Sequence, residues 1–363
     1  MPDQIRVAAV QMEAKFCDVD ANIETAARWV KEAIQMGAKW IVLPEFFTSG
    51  LAWDPRMRDA WQPLDGKPMQ MLKAMAKDGN VAVGGSYLAK SGMHIRNAFV
   101  LAMPDGRVFT HDKDIPSIGE SCYFIGGEDE AFLEEMKKRG HEPKDSPVPP
   151  REGNNAQGVF DIDGMSVGAV LCWELIRTRT VDRLAAGNVD IVIGGSGWPD
   201  WSPDVDPPPG LTKNDLEEAS RIYFQLIVDM PLYFARTLRV PVIHANHVGQ
   251  QWSGASLDAS ATHGDRIRLD FLGNSVIIDG NGTILAHRGR DAGEGIVIAD
   301  VTPGRLGPPR LPEKKDFFIP TERPYIDELF FLPENRDYYF ALSLIHISEP
   351  TRHICLSRMP SSA

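Results

Sequence analysis

Ser166-Val-Gly-Ala-Val-Leu-Cys172 is an unbroken apolar run that ends on a single thiol. A strand with one face in water alternates polar and apolar residues, whereas a strand covered on both faces has no reason to. The run therefore predicts a sheet packed on both sides, and the helical pattern from Thr178 to Ala186 supplies one cover. Ile5 to Met12, Trp40 to Leu43 and Val189 to Ile193 have the same texture. Between them, Ile23, Ala27, Val30 and Ile34 recur at helical spacing, with Asp20 or Asn22 as a cap and Gly37 at the end. A second helical pattern runs from Lys67 to Lys77. Strands alternating with helices, and no internal repeat, predict an α/β fold with helix-covered sheets.

Antiparallel additions are marked by their turns. Pro104-Asp105-Gly106 joins strands Asn97 to Met103 and Arg107 to His111, and Asp163-Gly164 joins Gly158 to Ile162 and Val167 to Leu171. Further strands are expected at Val81 to Ser86, Val242 to Asn246, Phe271 to Gly282 paired with Thr283 to Ala286, and Gly295 to Asp300. A helical region from Asn214 to Leu238 should be interrupted near Asp229-Met-Pro231. Residues 128–157 read as an inserted surface excursion with a helical piece from Glu130 to Lys138. The expected organisation is one domain over 1–300, then a Pro- and aromatic-rich extension over 301–341 that wraps a surface. Residues 342–363 read as the translation of a sequencing adapter, beginning Leu342-Ser-Leu-Ile-His, so His346, His353 and Cys355 are set aside.

Charge and cysteine usage exclude several functions. The 38 basic and 50 acidic residues give a net charge of −12 with no basic run, which argues against nucleic acid and anionic membrane as partners. The chain enters a strand pattern at Ile5 without a signal peptide or transmembrane segment, so a cytoplasmic location is expected. Four scattered cysteines form neither a disulfide framework nor a zinc signature.

Polar residues at strand ends carry the chemistry. Glu45 follows Trp40-Ile-Val-Leu43 directly, and a carboxylate there is costly unless paired. Lys113 ends another strand, Glu120 stands seven residues on, and Cys172 sits at a strand-to-helix corner. A thiol alone is mostly protonated near neutrality, so a nucleophilic Cys172 needs a base and a cation nearby. His244 and His247 are i, i+3 on a strand end and point to opposite faces, which favours structural roles over metal binding. The glycines of Gly194-Gly-Ser-Gly197 fit either a ligand held close to the backbone or a tight turn.

Taken in order, Leu43-Pro44-Glu45-Phe46, Arg96-Asn97-Ala98, Lys113, Glu120 to Gly127, Cys172-Trp173-Glu174 and Gly273-Asn-Ser275 resemble the nitrilase (carbon–nitrogen hydrolase) superfamily. The resemblance implies a four-layer αββα sandwich that assembles into homodimers or larger homo-oligomers. It implies Cys172 as nucleophile, Glu45 as general base and later acid, and Lys113 as the cation facing the tetrahedral intermediate. Glu120 would be the second acid, with Glu128 as the fallback. No metal or organic cofactor is implied. Phe46, Phe47, Trp173 and Trp198 either line the acyl pocket or belong to the core. Cys172-Trp173-Glu174 is typical of the nitrile-hydrolysing branch, yet Leu175 stands where that branch has asparagine. The reading is therefore an amidase acting on a small or medium linear amide, ahead of a nitrilase and then an N-carbamoyl amine hydrolase. A catalytically silent interaction protein on the same fold would be expected to lack at least one of Glu45, Lys113 and Cys172.

Overall fold

The computed structural model describes residues 4–52, 54–92, 94–117, 120, 123–127, 153–155, 157–201, 207, 212–253, 267–313 and 318–319. The first half supplies β1 (Ile5–Gln11), α1 (Val19–Gln35), β2 (Trp40–Val42), β3 (Gln62–Pro63), α2 (Lys67–Gly79), β4 (Ala82–Ser91), β5 (His94–Ala102) and β6 (Val108–Asp112). There follow β7 (Val159–Ile162), β8 (Met165–Leu171), α3 (Thr178–Ala186), β9 (Ile191–Ser196), β10 (Pro199–Trp201), α4 (Lys213–Leu238), β11 (Val242–Asn246) and β12 (Gln250–Ser253). The last strands are β13 (Ile267–Phe271), β14 (Ser275–Ile278), β15 (Ile284–Arg288) and β16 (Gly295–Val301).

Two sheets form the body, in the orders β16-β1-β2-β4-β5-β6 and β15-β14-β11-β9-β8-β7, with β3 beside β4. In both, parallel strands occupy the centre (β1, β2 and β4; β8, β9 and β11) and antiparallel strands the flanks. Side-chain alternation sorts the layers. Val7, Ala9, Val42 and Leu101 of the first sheet meet Ala169, Ile193, Ile243 and Ile277 of the second. Ala8, Val10, Ile41 and Val100 turn the other way, onto the core shared with α1 and α2. Val170, Val192, Val242 and Ile278 likewise share a core with α3 and α4. The result is a layered α/β sandwich in the order helix, sheet, sheet, helix. A small sheet, β10-β13-β12, lies outside this path.

Several elements differ from the sequence reading. Asp18 caps α1, accepting from Ala21 N at 3.3 Å, while Asn22 is buried and ties Lys15 to Thr48. α4 runs unbroken through Pro231. Proline inside a helix costs about 3 kcal/mol. Full burial of each of Ile227, Met230 and Phe234 is worth roughly 1.5–3 kcal/mol and outweighs it. β4 and β5 extend to Ser91 and His94, past the polar residues that blurred their pattern. The expected strand from Phe271 to Gly282 is split, because Gly273 (φ +61°) and Asn274 (φ +63°) are both left-handed and turn the chain between β13 and β14.

Beyond β16 the described chain lies along the α3 and α4 layer. Leu306 N donates to Arg239 O at 3.0 Å, Arg310 N to Thr237 O at 2.7 Å, and Phe318 N to Ile176 O at 3.1 Å. The expected helix at Glu130 to Lys138, the fallback Glu128, most of the extension past 313, and the tail 342–363 lie outside the described residues. Among the described residues, no helix is long and apolar enough to cross a membrane.

Candidate active site

The chemistry-bearing residues gather where parallel strands end, the edge at which α/β sheets usually hold ligands. Cys172 follows β8, and its φ of +49° is left-handed, a conformation costly for a side chain with a Cβ. The chain leaves the strand through a 3₁₀ turn, Cys172–Ile176, before α3 begins, so the corner is sharper than a direct strand-to-helix passage. Glu45 follows β2 in a similar turn, with Phe46 left-handed at φ +54° and Phe47 N bonded to Ser86 O at 3.1 Å. His247 bridges that backbone to the end of β1, its Nε2 2.8 Å from Glu45 O and its Nδ1 3.1 Å from Met12 O. Lys113 follows β6, and its backbone N donates to Asn97 O at 2.9 Å.

Glycines allow the sheets to close on one another here. A Cβ on Gly195 would stand 2.6 Å from Ala245 O and 3.0 Å from Pro44 Cα, and one on Gly194 would stand 1.8 Å from Val170 O. Both positions therefore serve backbone approach within β9, not a turn, and Gly195 sets how near Glu45 comes to the second sheet.

Lys113 is fully buried between two carboxylates. Its Nζ lies 3.0 Å from Glu45 Oε1, and 2.9 and 2.7 Å from the two oxygens of Glu120. Glu45 also accepts from Asn97 Nδ2 at 2.8 Å and from Gly197 N at 2.9 Å. Glu120 accepts from Ser117 N at 2.5 Å. The sequence-predicted residues Glu45, Lys113 and Glu120 are thus brought into one buried, hydrogen-bonded group, and the buried Cys172 thiol lies within reach of their charges.

Their ionisation follows from that burial. Loss of solvent pushes the Glu45 carboxyl up, with Lys113 pulling the other way. Burial and the adjacent Glu45 charge push the Cys172 thiol well above its usual value, with Lys113 opposing them. Cys172 therefore rests as a thiol. Burial works against charge on Lys113, yet Glu120 and Glu45 overcome it and hold the ammonium protonated.

Glu174, given no role by the sequence reading, ties this group together. Its carboxylate accepts from Leu171 N at 2.8 Å on one oxygen and from Asp114 N at 3.0 Å on the other. Those are the residues next to Cys172 and Lys113. His111 Nε2 lies 3.0 Å away and Arg183 Nη2 3.1 Å away. Burial alone would raise this carboxyl, but His111 and Arg183 beside it hold it well below the usual carboxylate range. Asn97 and Gly197 were also unmarked as partners of Glu45. A glutamate two residues past an apolar strand could have been flagged for Glu174 by the reasoning applied to Glu45.

The aromatic candidates separate. Trp173 and Trp198 pack together at 5.6 Å, in the cluster that holds Cys172, and Trp198 meets Tyr223 at 5.6 Å. Phe46 packs on Phe124 at 6.1 Å. Phe47 lies on the α1 and α2 side of the first sheet, edge-on to Tyr87 at 6.1 Å, and belongs to that core. His244 and His247 are buried with protein partners, and no group of three or more His, Cys, Asp or Glu among the described residues could hold a metal ion.

Comparison with known proteins adds sequence and fold. The family model described as Carbon-nitrogen hydrolase matches residues 6–310. A nitrilase of Pyrococcus abyssi is 26% identical over 191 residues, 52% of this chain and 63% of that protein. A cyanide hydratase of Armillaria gallica is 23% identical over 239 residues, covering 58% of its own length, so the chain spans less than two thirds of either relative. An arylacetonitrilase of Fusarium vanettenii is 24% identical over 327 residues, 82% of this chain and 84% of the relative. Among solved structures, a mutant amidase from Nesterenkonia sp. AN1, with acrylamide added at its active-site cysteine, superposes with a TM-score of 0.54. At 17% identity, covering 86% of this chain and 96% of that one, it shows likeness of fold.

Proposed function

The chain belongs to the carbon–nitrogen hydrolase family, and on that premise we propose that it hydrolyses a small-molecule carbon–nitrogen bond through an acyl thioester on Cys172. The observation that carries this reading is the Lys113 ammonium held by Glu45 at 3.0 Å and Glu120 at 2.7 Å, in one buried group with the Cys172 thiol. Glu45 takes the thiol proton as Sγ bonds to the substrate carbon. Burial raises the carboxyl as well as the thiol, so the base strengthens along with the acid it must deprotonate. Lys113 stays charged and faces the negative charge that develops on the substrate heteroatom; a well-placed donor of this kind is worth roughly 3–4 kcal/mol. With an amide, Glu45 returns the proton to the departing nitrogen and the thioester forms at once. With a nitrile the proton goes to the nitrogen of a thioimidate, a first water adds to its carbon, and ammonia then leaves to give the thioester. In either case Glu45 takes a proton from the water that cleaves the thioester. Glu120 holds Lys113 in place throughout.

Nitriles are the first substrate class. Cys172-Trp173-Glu174 stands as in the nitrile-hydrolysing branch, and relatives matched over more than four fifths of their length are named arylacetonitrilases. A linear amide is the second, supported by Leu175 in place of that branch's asparagine. Ammonia release from nitriles and amides sharing the same acyl groups separates them. Faster release from the nitriles is expected; release from amides alone would make the enzyme an amidase.

A further inference from the structure

Cys172, Ser196 and His244 stand side by side on neighbouring strands of the second sheet. β8 and β9 run parallel with Leu171 opposite Gly195, which sets Cys172 beside Ser196. β9 and β11 run parallel with His244 opposite Gly194 and Asn246 opposite Ser196, so the imidazole reaches Ser196 diagonally. His244 Nε2 lies 2.9 Å from Ser196 Oγ and both residues are fully buried. The Ser196 side chain, next to Cys172 in register, favours ionisation of that thiol against its burial. Val170, Val192 and Val242 on the same strands face the core under α3 and α4. That alternation puts Ser196 and His244 on this helix-facing side; Cys172, past the end of β8 in its 3₁₀ turn, stands at the strand ends, where the Glu45 carboxylate also meets Gly197 N.

We infer that Ser196 and His244 form a hydrogen-bonded relay that steadies the Cys172 thiolate: His244 Nε2–H donates to Ser196 Oγ, and the Ser196 hydroxyl donates to Sγ. Among the described residues His244 Nδ1 has no partner, which favours this direction. With the proton on Nε2, the unmet atom is a bare lone pair. With the proton on Nδ1, a buried N–H would go unmet, a rarer and costlier arrangement, and Ser196 would point away from the sulfur. Burial lowers the His244 pKa to about 3, so the ring is neutral and carries a single N–H in the working range. Ser196 thus touches the reacting atom, and His244 is a positioning residue that acts through it. The relay rests on the thioester reading for its use in turnover, but its effect on the thiol can be measured without any substrate.

The other groups that bear on Cys172 are Glu45 and Glu120, which disfavour the thiolate, and Lys113, which favours it. Iodoacetamide reads their balance: the thiolate sulfur bonds to the CH₂ carbon, iodide leaves, and peptide mass mapping separates Cys172 from the other cysteines. In the full chain, the alkylation rate of Cys172 should rise with pH at a midpoint that Ser196→Ala moves upward by about one pH unit, the shift expected for one lost hydrogen bond to a charged acceptor. His244→Leu should move it the same way by less. The double variant should match Ser196→Ala alone, because the histidine acts only through the serine. His244→Gln, whose amide N–H can replace Nε2–H, should stay near wild type. In turnover, Ser196→Ala should lower kcat about tenfold with KM unchanged. An unmoved midpoint in folded Ser196→Ala, or shifts that add in the double variant, would overturn the relay. Absence of hydrolase activity with the midpoint shifts intact would count against the thioester reading alone.

Discussion

Lys113→Met is expected to lower kcat by roughly two to three orders of magnitude and to destabilise the fold by about 3–5 kcal/mol. Both effects have one cause. Lys113 is the cation between Glu45 and Glu120, and its loss leaves two carboxyl groups buried with no counter-charge. Glu45 already has a raised pKa from burial, with Lys113 pulling it down, so the variant raises it further. A carboxyl raised in the folded state favours folding in acid, and that contribution is lost as pH rises through its folded pKa. The stability gap between variant and wild type should therefore be smallest in acid and widen toward neutral pH. Urea denaturation at a series of pH values measures it. A gap that narrows with rising pH would contradict the charge assignment.

Glu174→Ala should be comparably severe, at about 3–5 kcal/mol, although Glu174 belongs to no catalytic step. The substitution leaves Arg183 and His111 without their shared carboxylate, and leaves Leu171 N and Asp114 N as buried donors without an acceptor. Each unmet donor adds about 1–3 kcal/mol. Release of those two amides also frees the backbone beside Cys172 and Lys113, and a displacement of about 1 Å at a reacting group costs on the order of a hundredfold in rate. Glu174→Gln keeps one acceptor oxygen and should retain more stability than Glu174→Ala while still losing kcat. Thermal unfolding alongside steady-state kinetics tests both. Wild-type kinetics in a folded Glu174→Ala would show that the two strand ends hold themselves in place.

Much of this was legible in the residues, for identifiable reasons. Unbroken apolar runs such as Val167 to Leu171 signal strands covered on both faces, and they locate β8 and β9 and hence the sandwich. Glu45 was visible because a charge at the end of a buried strand has few structural uses, whereas Lys113 stood out only in the company of the family's other motifs. What was hidden depends on distance along the chain. Nothing local in Asn97 or Gly197 says that both donate to Glu45, since those contacts span 52 and 152 positions. The Ser196 and His244 contact spans 48. The glycines of β9 stayed ambiguous because the atoms that exclude a Cβ, Val170 O and Ala245 O, lie on other strands. Pro231 misled for the opposite reason: its local penalty is real, and only the tertiary packing of α4 outweighs it.

The central claim, that Cys172 is the nucleophile for carbon–nitrogen cleavage, is met most directly by ammonia release from the matched nitriles and amides with wild type and Cys172→Ala in parallel. Wild type should release ammonia from at least one member of the panel. Cys172→Ala, with an unchanged circular dichroism spectrum, should release none above background. Ammonia release by the variant at the wild-type rate would contradict the account, whatever the substrate.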